Sequence, residues 1–287
     1  MTFGDKILEG KVAFVAGGTR GMNLAIARRY AQHGAKVCVM SRDPERVQRA
    51  VKSLQEDAPA DHIMGLPGDV REYERLETIY GEVEERFGKL DIVVAGQAGN
   101  FYAPATHMSS KGFRTIIDID LIGSFNVFRA AWEHLNRPGA ALLAITAPEA
   151  VRPLHFQAHV CAAKAGLNML IKCLAIEWGP QGVRVNGISP GPIEGSWGMK
   201  FVASPSQEIV DKITKAIPLK RWGKVEDIAD SALFLSSSAA SYITGTILET
   251  DGGVTIASPE GAELDSLSDL ASDTRVRRAS KDDRAKD

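Results

Sequence analysis

Short apolar runs alternate with longer amphipathic stretches along most of the chain. The short runs are bounded by turn residues, and we predict strands at residues 12–16, 37–40, 63–66, 92–95, 141–146, 183–189 and 246–249. Between and after them, apolar residues recur at helical spacing at 22–33, 45–56, 72–87 and 156–178. Alternation of this kind is typical of a parallel sheet with helices on both faces, joined by right-handed crossovers. The pattern therefore predicts a single α/β domain over residues 1–257, with a doubly wound, Rossmann-like sheet.

Two segments depart from this alternation. Residues 190–222 are rich in Gly, Pro, Ser and Trp and have weak periodicity. That composition predicts either a flexible flap over a site or an irregular surface excursion. Residues 258–287 are polar and densely charged, so we expect this tail to be poorly ordered unless a partner subunit holds it.

Composition narrows the class of protein. The 287 residues are 44% apolar, enough to bury a large core, and the net charge of −2 gives no electrostatic reason to bind nucleic acid. Cys38, Cys161 and Cys173 are odd in number and widely spaced, as expected of reduced thiols rather than a disulfide or a metal site. No apolar run reaches the roughly 18 residues of a membrane span, and neither a signal peptide nor a Ser-Lys-Leu ending is present. We therefore predict a cytoplasmic protein without a membrane partner.

A glycine-rich turn follows the first predicted strand and opens a helix, with the sequence Ala-Gly-Gly-Thr-Arg-Gly-Met-Asn at residues 16–23. Glycines allow a tight turn there, and the N–H groups at the start of a helix attract a pyrophosphate. In this context the turn predicts nucleotide binding rather than a plain tight turn. The residues we expect to contact the nucleotide are Gly17, Thr19, Arg20, Gly21 and Met22. Asn23 replaces the last glycine of such loops, which predicts wider helix–strand packing or a helix cap.

The end of the second strand carries Ser41 and Arg42. An acidic residue in place of Ser41 would bind a ribose 2′-hydroxyl and repel a 2′-phosphate. Two guanidinium groups, those of Arg42 and Arg20, favour a 2′-phosphate instead. We therefore predict NADPH rather than NADH, the alternative being that the arginines are solvated surface charges. Asp69 and Val70 follow the third strand, where we expect contact with the adenine edge or a helix cap.

Lys164 lies four residues after Val160 in the helical segment 156–178, so both side chains occupy one face of the helix. A lysine in an apolar run needs a buried partner or a ligand, which favours a cofactor role over a side chain that reaches the surface. Val160 has no hydrogen-bond donor in its side chain. After the fourth strand, Ala98 and Gly99 belong to a small-residue segment that we expect to line the cofactor.

These landmarks together resemble the short-chain dehydrogenase/reductase family over roughly residues 8–255. The resemblance rests on the glycine turn, Asp69-Val70, Asn-Gly-Ile-Ser-Pro-Gly-Pro at 186–192 and Asp-Gly-Gly at 251–253. Four stretches are further similar to the 2,4-dienoyl-CoA reductases, especially the peroxisomal type. They are Ala-Gly-Asn-Phe at 98–101, the aspartate-containing stretch 118–123, Ala-Ile-Glu-Trp-Gly-Pro-Gln at 175–181 and Pro-Gly-Pro-Ile at 190–193.

The resemblance implies roles for individual residues. It implies that Lys164 holds the hydroxyls of the nicotinamide ribose and that Asp120 helps deliver a proton through water. It places three more residues beside the cofactor, namely Pro190, Gly191 and Ile193. It also implies a homo-oligomer, a dimer or a tetramer, paired through the helices that contain residues 120–135 and 160–178.

The chain departs from the wider family at positions that matter for chemistry. Val160 replaces the usual tyrosine, Ala147 with Thr146 beside it replaces the usual serine, and Asp120 replaces the usual asparagine. The 2,4-dienoyl-CoA reductases likewise lack the tyrosine, keep the lysine and carry an aspartate where Asp120 stands. The missing peroxisomal ending, in contrast, does not fit their compartment.

Elementary chemistry explains how such a reductase works without the tyrosine. Reduction of a ketone leaves negative charge on the oxygen beside the carbon that receives the hydride, so an acid must stand there. Reduction of a dienoyl thioester at its far carbon moves the charge to the thioester oxygen instead. The donors we expect there are Asn100 or the backbone N–H groups near Phe101 and Tyr102. Asp120 is the first candidate for the acid, the alternative being a structural carboxylate bonded to the backbone or to Lys164.

Three hypotheses about function follow from the sequence. The first is an NADPH-dependent reductase that converts a 2,4-dienoyl-CoA to an enoyl-CoA. The second is a carbonyl reductase in which Glu149 or a histidine replaces the tyrosine, and the third is a catalytically silent NADP-binding protein. Retention of Lys164 and of an ionisable residue at position 120 argues against the third. The substrate contacts we expect are Asn100, Phe101, Thr146, Glu149 and Trp197, with no metal.

Overall fold

A seven-stranded parallel sheet forms the centre of the computed structural model, which describes residues 6–195 and 207–257. The strands are β1 (Val12–Ala16), β2 (Lys36–Ser41), β3 (Ile63–Pro67), β4 (Ile92–Ala95), β5 (Ala141–Ile145), β6 (Arg184–Pro190) and β7 (Ile247–Thr250). Their order across the sheet is β3-β2-β1-β4-β5-β6-β7, and every neighbouring pair is parallel. The predicted doubly wound α/β fold is therefore confirmed, and each predicted strand overlaps an observed one.

Helices cover both faces of the sheet. They are α1 (Gly21–Gln32), α2 (Pro44–Leu54), α3 (Tyr73–Phe87), α4 (Ser110–Ile116), α5 (Gly123–Ala131), α6 (Ala158–Trp178), α7 (Gln207–Ala216) and α8 (Val225–Ser236). Buried side chains of α1, α2 and α8 form the core on one face, and those of α3, α5 and α6 form the core on the other. The two cores explain why the apolar runs of the sequence alternate with amphipathic ones.

Local sequence explains the central elements. Every residue of β1, β4 and β5 is buried, as expected of strands that helices cover on both faces. At the start of α2, Pro44 takes the first helical turn and the Asp43 side chain accepts a hydrogen bond from Arg46 N at 3.1 Å. Both features are start signals that a sequence can carry by itself.

The helix that contains α4 and α5 is interrupted by a π-helical segment at Ile117–Ile122. A π-helical segment widens the helix by one residue per turn and occurs frequently at functional sites. The periodicity of the sequence did not predict this interruption. Its position matters because Asp120 lies within it.

Helix α6 is long and apolar enough to cross a membrane by length and composition alone, although no such span was predicted from the sequence. One side of it is nevertheless buried on the sheet through Leu167, Ile171 and Leu174. The other side carries exposed apolar side chains, among them Met169 and Ile176. This helix is therefore part of the core on one side and exposes an apolar face on the other.

The segment predicted as a flap is partly regular. Strand β6 ends at Pro190. Ile193 forms a parallel bridge with Gly223, and α7 lies between these two residues in the sequence. Residues 196–206, which include Trp197, lie outside the described residues. The predicted tail at 258–287 lies outside them as well.

Candidate active site

The carboxyl ends of β1 and β4 define the candidate cleft. The order of the strands reverses between these two neighbours, since β2 and β3 lie to one side and β5 to β7 to the other. In open parallel sheets, ligands bind at such a switch point, outside the carboxyl ends of the strands. The turns after β1, β4, β5 and β6 all end at this edge, and they carry most of the residues predicted from the sequence.

The glycine turn after β1 fits a pyrophosphate. Gly17 has a φ of +71°, and a Cβ atom added there would lie 3.0 Å from the backbone N of Gln97. Only glycine allows both that conformation and that close approach. Helix α1 begins at Gly21, so its first N–H groups face the same turn, and Thr19 is buried beside it. The backbone here leaves room and hydrogen-bond donors for an anionic group.

Asn23 links the glycine turn to β4. Its Nδ2 donates a hydrogen bond to the carbonyl oxygen of Gly96 at 2.5 Å. The residue that caps α1 is Arg20, which makes no side-chain cap, so the expectation that Asn23 caps the helix was wrong. The asparagine instead fastens the start of α1 to the neighbouring strand end, a contact between residues far apart in sequence.

Three arginines gather where the adenosine ribose of a dinucleotide would lie. Burial lowers the pKa of Arg20, and the nearby charges of Arg46 and Arg42 lower it further. Ser41 Oγ is buried and has no hydrogen-bond partner among the described residues. Positive charges that repel one another, together with a hydroxyl group that has no hydrogen-bond partner, form a site that a phosphate group can stabilise. Arg46 was not predicted from the sequence, because it lies in the first turn of α2 and its proximity to Arg20 is a tertiary contact.

Asp69 is held by Arg71 rather than by a helix end. Arg71 donates from Nη2 to Oδ2 at 2.6 Å and from Nε to Oδ1 at 3.0 Å, and these hydrogen bonds hold the pKa of Asp69 below its usual range. Helix α3 is capped at Glu72, so the capping alternative for Asp69 was wrong. Next to it, Val70 is buried and its carbonyl oxygen accepts from Asn126 Nδ2 at 3.0 Å.

Side chains stabilise the π-helical segment. Gln97 Nε2 donates to the carbonyl oxygen of Ile119 at 3.3 Å and to Ser124 Oγ at 2.9 Å, and Ser124 Oγ donates to the carbonyl oxygen of Asp120 at 2.7 Å. Carbonyl groups at a widened turn lose part of their regular bonding, and these contacts replace it. The segment thereby presents the Asp120 side chain toward the end of β4.

Asp120 and Lys164 form a buried ion pair at the centre of the site. Lys164 Nζ lies 3.2 Å from Asp120 Oδ2, and the side chains are 5% and 0% exposed. The other oxygen, Oδ1, accepts a hydrogen bond from Gly99 N at 2.7 Å, and Lys164 Nζ also donates to the carbonyl oxygen of Ile145 at 3.0 Å. The expectation that Lys164 is buried with a partner is confirmed. The pair thus joins α6, the π-helical segment and the ends of β4 and β5.

Position 160 holds no polar group. Val160 packs with Ile116 and Ala163 in a small apolar cluster. One residue earlier, His159 is fully buried, and its ring lies against that of Phe101 with centroids 4.4 Å apart. Burial lowers the pKa of His159, although the Phe101 backbone and the charge of Asp120 act in the opposite direction.

The predicted substrate residues that the structure describes lie on the segments after β4 and β5. Thr146 is buried, and its hydroxyl donates to Asn168 Oδ1 at 2.6 Å, so an internal contact occupies it. Asn100 Oδ1 is buried without a partner among the described residues. Glu149 lies in a short helical turn after β5. Ala98 comes directly before Gly99, whose N–H group binds Asp120. Trp197 lies outside the described residues.

The turn after β6 completes the cleft edge. A Cβ atom added at Gly191 would lie 2.5 Å from Asp251 Cα, so only a glycine allows this approach of two backbones. Pro190 ends β6, and Ile193 is buried, with its backbone paired to Gly223. Met22, in the first turn of α1, is half-buried. These residues lie at the carboxyl end of β6 and in the first turn of α1, at the edge of the sheet where the cleft opens.

A parallel sheet with this strand order, a glycine turn at its switch point and a buried lysine on α6 define a nucleotide-binding fold of the oxidoreductase type. A family model described as enoyl-(acyl carrier protein) reductase matches residues 16–255. The chain belongs to the short-chain dehydrogenase/reductase family.

Individual relatives narrow the comparison. The chain is 39% identical over 250 residues to a peroxisomal 2,4-dienoyl-CoA reductase of Saccharomyces cerevisiae, covering 86% of this chain and 85% of that protein. It is 37% identical over 271 residues to the peroxisomal 2,4-dienoyl-CoA reductase of Pongo abelii, covering 94% and 91%. Both names specify (3E)-enoyl-CoA as the product. A short-chain dehydrogenase of Bacillus anthracis has a similar structure, with a TM-score of 0.77, 32% identity and coverage of 86% and 97%.

Proposed function

We propose that this protein is an NADPH-dependent reductase that converts a 2,4-dienoyl-CoA to a 3-enoyl-CoA. The observation that carries the proposal is the buried Asp120–Lys164 pair beside Val160, which has no donor. Lys164 is present, but Val160 stands where the usual tyrosine would donate a proton. This combination suits a reaction in which no alkoxide forms next to the nicotinamide, because no acid is then needed there. The names of the relatives, at 37–39% identity over most of the chain, support the same substrate class.

The chemistry follows from the conjugation of the substrate. When bound, the reduced nicotinamide supplies a hydride to the far carbon of the dienoyl group. The π electrons then shift along the chain and leave negative charge on the thioester oxygen, where hydrogen-bond donors lower the barrier. A proton added to the carbon beside the thioester leaves one double bond between the third and fourth carbons. The candidate donors are on the loop that contains Asn100, Phe101 and Tyr102.

Lys164 and Asp120 act as a unit in this proposal. Asp120 has no exposed surface, so it reaches the substrate through Lys164 Nζ and through water beside that group. Lys164 holds the ribose hydroxyls of the cofactor, and its bond to Ile145 O sets its direction. Asp120 in turn fixes the ammonium group, while Gly99 N fixes Asp120.

The preference for NADPH over NADH rests on Arg20, Arg42 and Arg46. The positive charges of Arg42 and Arg46 lower the pKa of Arg20, so the three side chains contribute to one positively charged region. Arg42 also lies 4.0 Å from Asp69 Oδ2, and a 2′-phosphate would compete for it. Bidentate guanidinium–phosphate contacts are strong and specific, which gives the 2′-phosphate its advantage over a hydroxyl.

A second copy of this chain is the partner we propose for the outer face of α5 and α6. That face exposes Phe125, Met169 and Ile176, the last of them 78% exposed. Met169 and Ile176 are seven residues apart and therefore lie on one face of α6, and exposed apolar side chains grouped in this way mark an interaction site. Introducing a charge with Ile176→Glu should yield smaller particles in sedimentation velocity, and an unchanged mass would contradict this surface.

The remaining organisation of the protein stays a prediction. We take residues 1–257 as the catalytic domain, 190–222 as the part that closes over substrate, and 258–287 as a tail. A cytoplasmic location also stays a prediction, and it differs from the peroxisomal location in the names of the relatives.

A direct assay tests the proposed function. Purified protein is supplied with NADPH and either 2,4-hexadienoyl-CoA or a panel of simple ketones, and loss of the reduced nicotinamide absorbance is followed. Turnover of the dienoyl thioester alone, with a 3-enoyl product, is the expected result. Turnover of ketones would favour a carbonyl reductase, and tight NADPH binding without turnover of either would favour a silent binding protein.

A further inference from the structure

Helix α6 contains an asparagine for which the helix itself gives no reason. Asn168 lies between Leu167 and Met169 in an apolar stretch and is half-buried. Asparagine is a poor helix former, because its side chain competes with the helical backbone for hydrogen bonds. It stands four residues after Lys164, so the two side chains lie on one face of α6, a turn apart. A partner outside the helix explains its presence there.

That partner is Thr146, the first residue after β5. Thr146 is 3% exposed, and its hydroxyl donates a hydrogen bond to Asn168 Oδ1 at 2.6 Å. A hydroxyl group has one O–H, so while this bond is kept Thr146 has no proton to donate to a ligand. The bond therefore connects α6 to the end of β5.

The peptide group between Ile145 and Thr146 is held at both of its polar atoms. Its carbonyl oxygen, Ile145 O, accepts from Lys164 Nζ at 3.0 Å, and its N–H, that of Thr146, donates to the carbonyl oxygen of Ile188 on β6 at 2.8 Å. A peptide group is planar, so its oxygen cannot move without the N–H. The Thr146 side chain is attached to this group, so its bond to Asn168 also restrains the oxygen that Lys164 binds.

The position of that oxygen affects where Lys164 points. The ammonium group has three N–H donors. Ile145 O accepts one of them, and Asp120 Oδ2 lies 3.2 Å from Nζ. These two acceptors leave one donor for a further acceptor. Because the three N–H bonds have fixed angles to one another, a shift of Ile145 O turns the third donor away from its direction.

We propose that Asn168 and Thr146 are positioning residues, whose hydrogen bond fixes the Ile145 carbonyl oxygen and so directs Lys164 Nζ toward the ribose hydroxyls of the bound cofactor. The inference rests on the proposed function, in which Lys164 holds that ribose. Two contacts a helical turn apart, Lys164 to Ile145 and Asn168 to Thr146, fix α6 against the end of β5. Loss of the second contact weakens cofactor binding through Lys164, although no charge is removed.

Paired variants separate this hydrogen bond from the shape of the side chains. Thr146→Val and Asn168→Leu remove the bond at similar volume, whereas Thr146→Ser keeps the hydroxyl. Thr78→Val is the matched control, at an exposed threonine on α3 whose hydroxyl donates to the carbonyl oxygen of Glu74 at 2.9 Å. Three quantities are measured on the full chain: the Kd of NADPH by fluorescence titration, kcat with 2,4-hexadienoyl-CoA, and the melting temperature without NADPH.

Thr146→Val and Asn168→Leu should each raise the Kd of NADPH about fivefold to tenfold, the effect of one hydrogen bond, and lower kcat. Thr146→Ser and Thr78→Val should match wild type in both. Lys164→Met provides the decisive readout. In that background, Thr146→Val and Asn168→Leu should raise the Kd no further, because their effect passes through Lys164, whereas a general loss of packing would act equally in both backgrounds.

An equal rise of the Kd with and without Lys164 overturns the inference, and so does a wild-type Kd in both Thr146→Val and Asn168→Leu. Either result leaves the proposed function intact. The melting temperature identifies a variant that is unfolded, in which case the other member of the pair decides. A wild-type protein that binds NADPH but does not reduce the dienoyl thioester overturns the proposed function, and the Kd values then decide this inference alone.

Discussion

Removal of one member of the Asp120–Lys164 pair should destabilise the protein more than removal of both. The atoms Lys164 Nζ and Asp120 Oδ2 are 3.2 Å apart and almost inaccessible to water. A buried charge that loses its partner is uncompensated, which costs about 3–5 kcal/mol. We therefore expect Lys164→Met and Asp120→Asn each to lower the free energy of unfolding by about that amount. Asparagine keeps an acceptor for Gly99 N, so the loss in that variant reports the charge.

The double variant Asp120→Asn/Lys164→Met should recover most of this stability, to within about 2 kcal/mol of wild type, because it buries no lone charge. Guanidinium unfolding at one protein concentration and without NADPH measures the cycle, since ligand and association both stabilise the folded state. Turnover should stay lost in the double variant. Asp120→Asn should keep its NADPH affinity, and Lys164→Met should lose both turnover and affinity.

A surface pair serves as the control. Glu45 and Arg49 are 3.6 Å apart on α2 and largely exposed, so Glu45→Gln and Arg49→Met should each cost less than about 1 kcal/mol. Additive losses at Asp120 and Lys164, or losses as small as those of the surface pair, would refute the argument that the buried charges compensate each other.

Three further outcomes test other parts of the structure. Val160→Tyr should not raise dienoyl turnover, and because Val160 packs on Ile116 it should lower the unfolding free energy by about 1–3 kcal/mol in denaturant titrations. Arg42→Asp should weaken NADPH at least about tenfold and leave NADH nearly unchanged in fluorescence titrations, and equal losses for both would contradict a 2′-phosphate site. Gly191→Ala should lower the melting temperature, because its Cβ would meet Asp251 Cα at 2.5 Å, and an unchanged value would mean that the backbone there yields easily.

The sequence predicted much of the fold because the signals are local. A continuous apolar run such as that of β1 buries all five residues, and no other element accommodates five consecutive core residues so well. The glycine turn could be predicted for a similar reason, since Gly17 meets a conformational need of its own backbone. The burial of Lys164 followed from the apolar residues around it in the same helix.

The hydrogen-bond partners of polar side chains could not be predicted from the sequence in the same way. Asn23 and Asp69 were both expected as possible helix caps, yet Asn23 bonds to Gly96 and Asp69 to Arg71. Arg46 was not singled out, because its effect on Arg20 depends on a neighbour outside its own helix. A polar side chain bonds to whatever packing brings near, and spacing along the chain does not contain that information.

The order of apolar and polar residues by itself determined the layers of this protein. The identities of single residues determined the glycine turn at the switch point and the absence of a hydrogen-bond donor at Val160. Only the tertiary structure decided that Asp120, on a π-helical segment, meets Lys164 and Gly99. The physical reason is that burial and backbone conformation depend on short stretches of chain. An ion pair depends instead on the relative placement of three elements, to within a few tenths of an ångström.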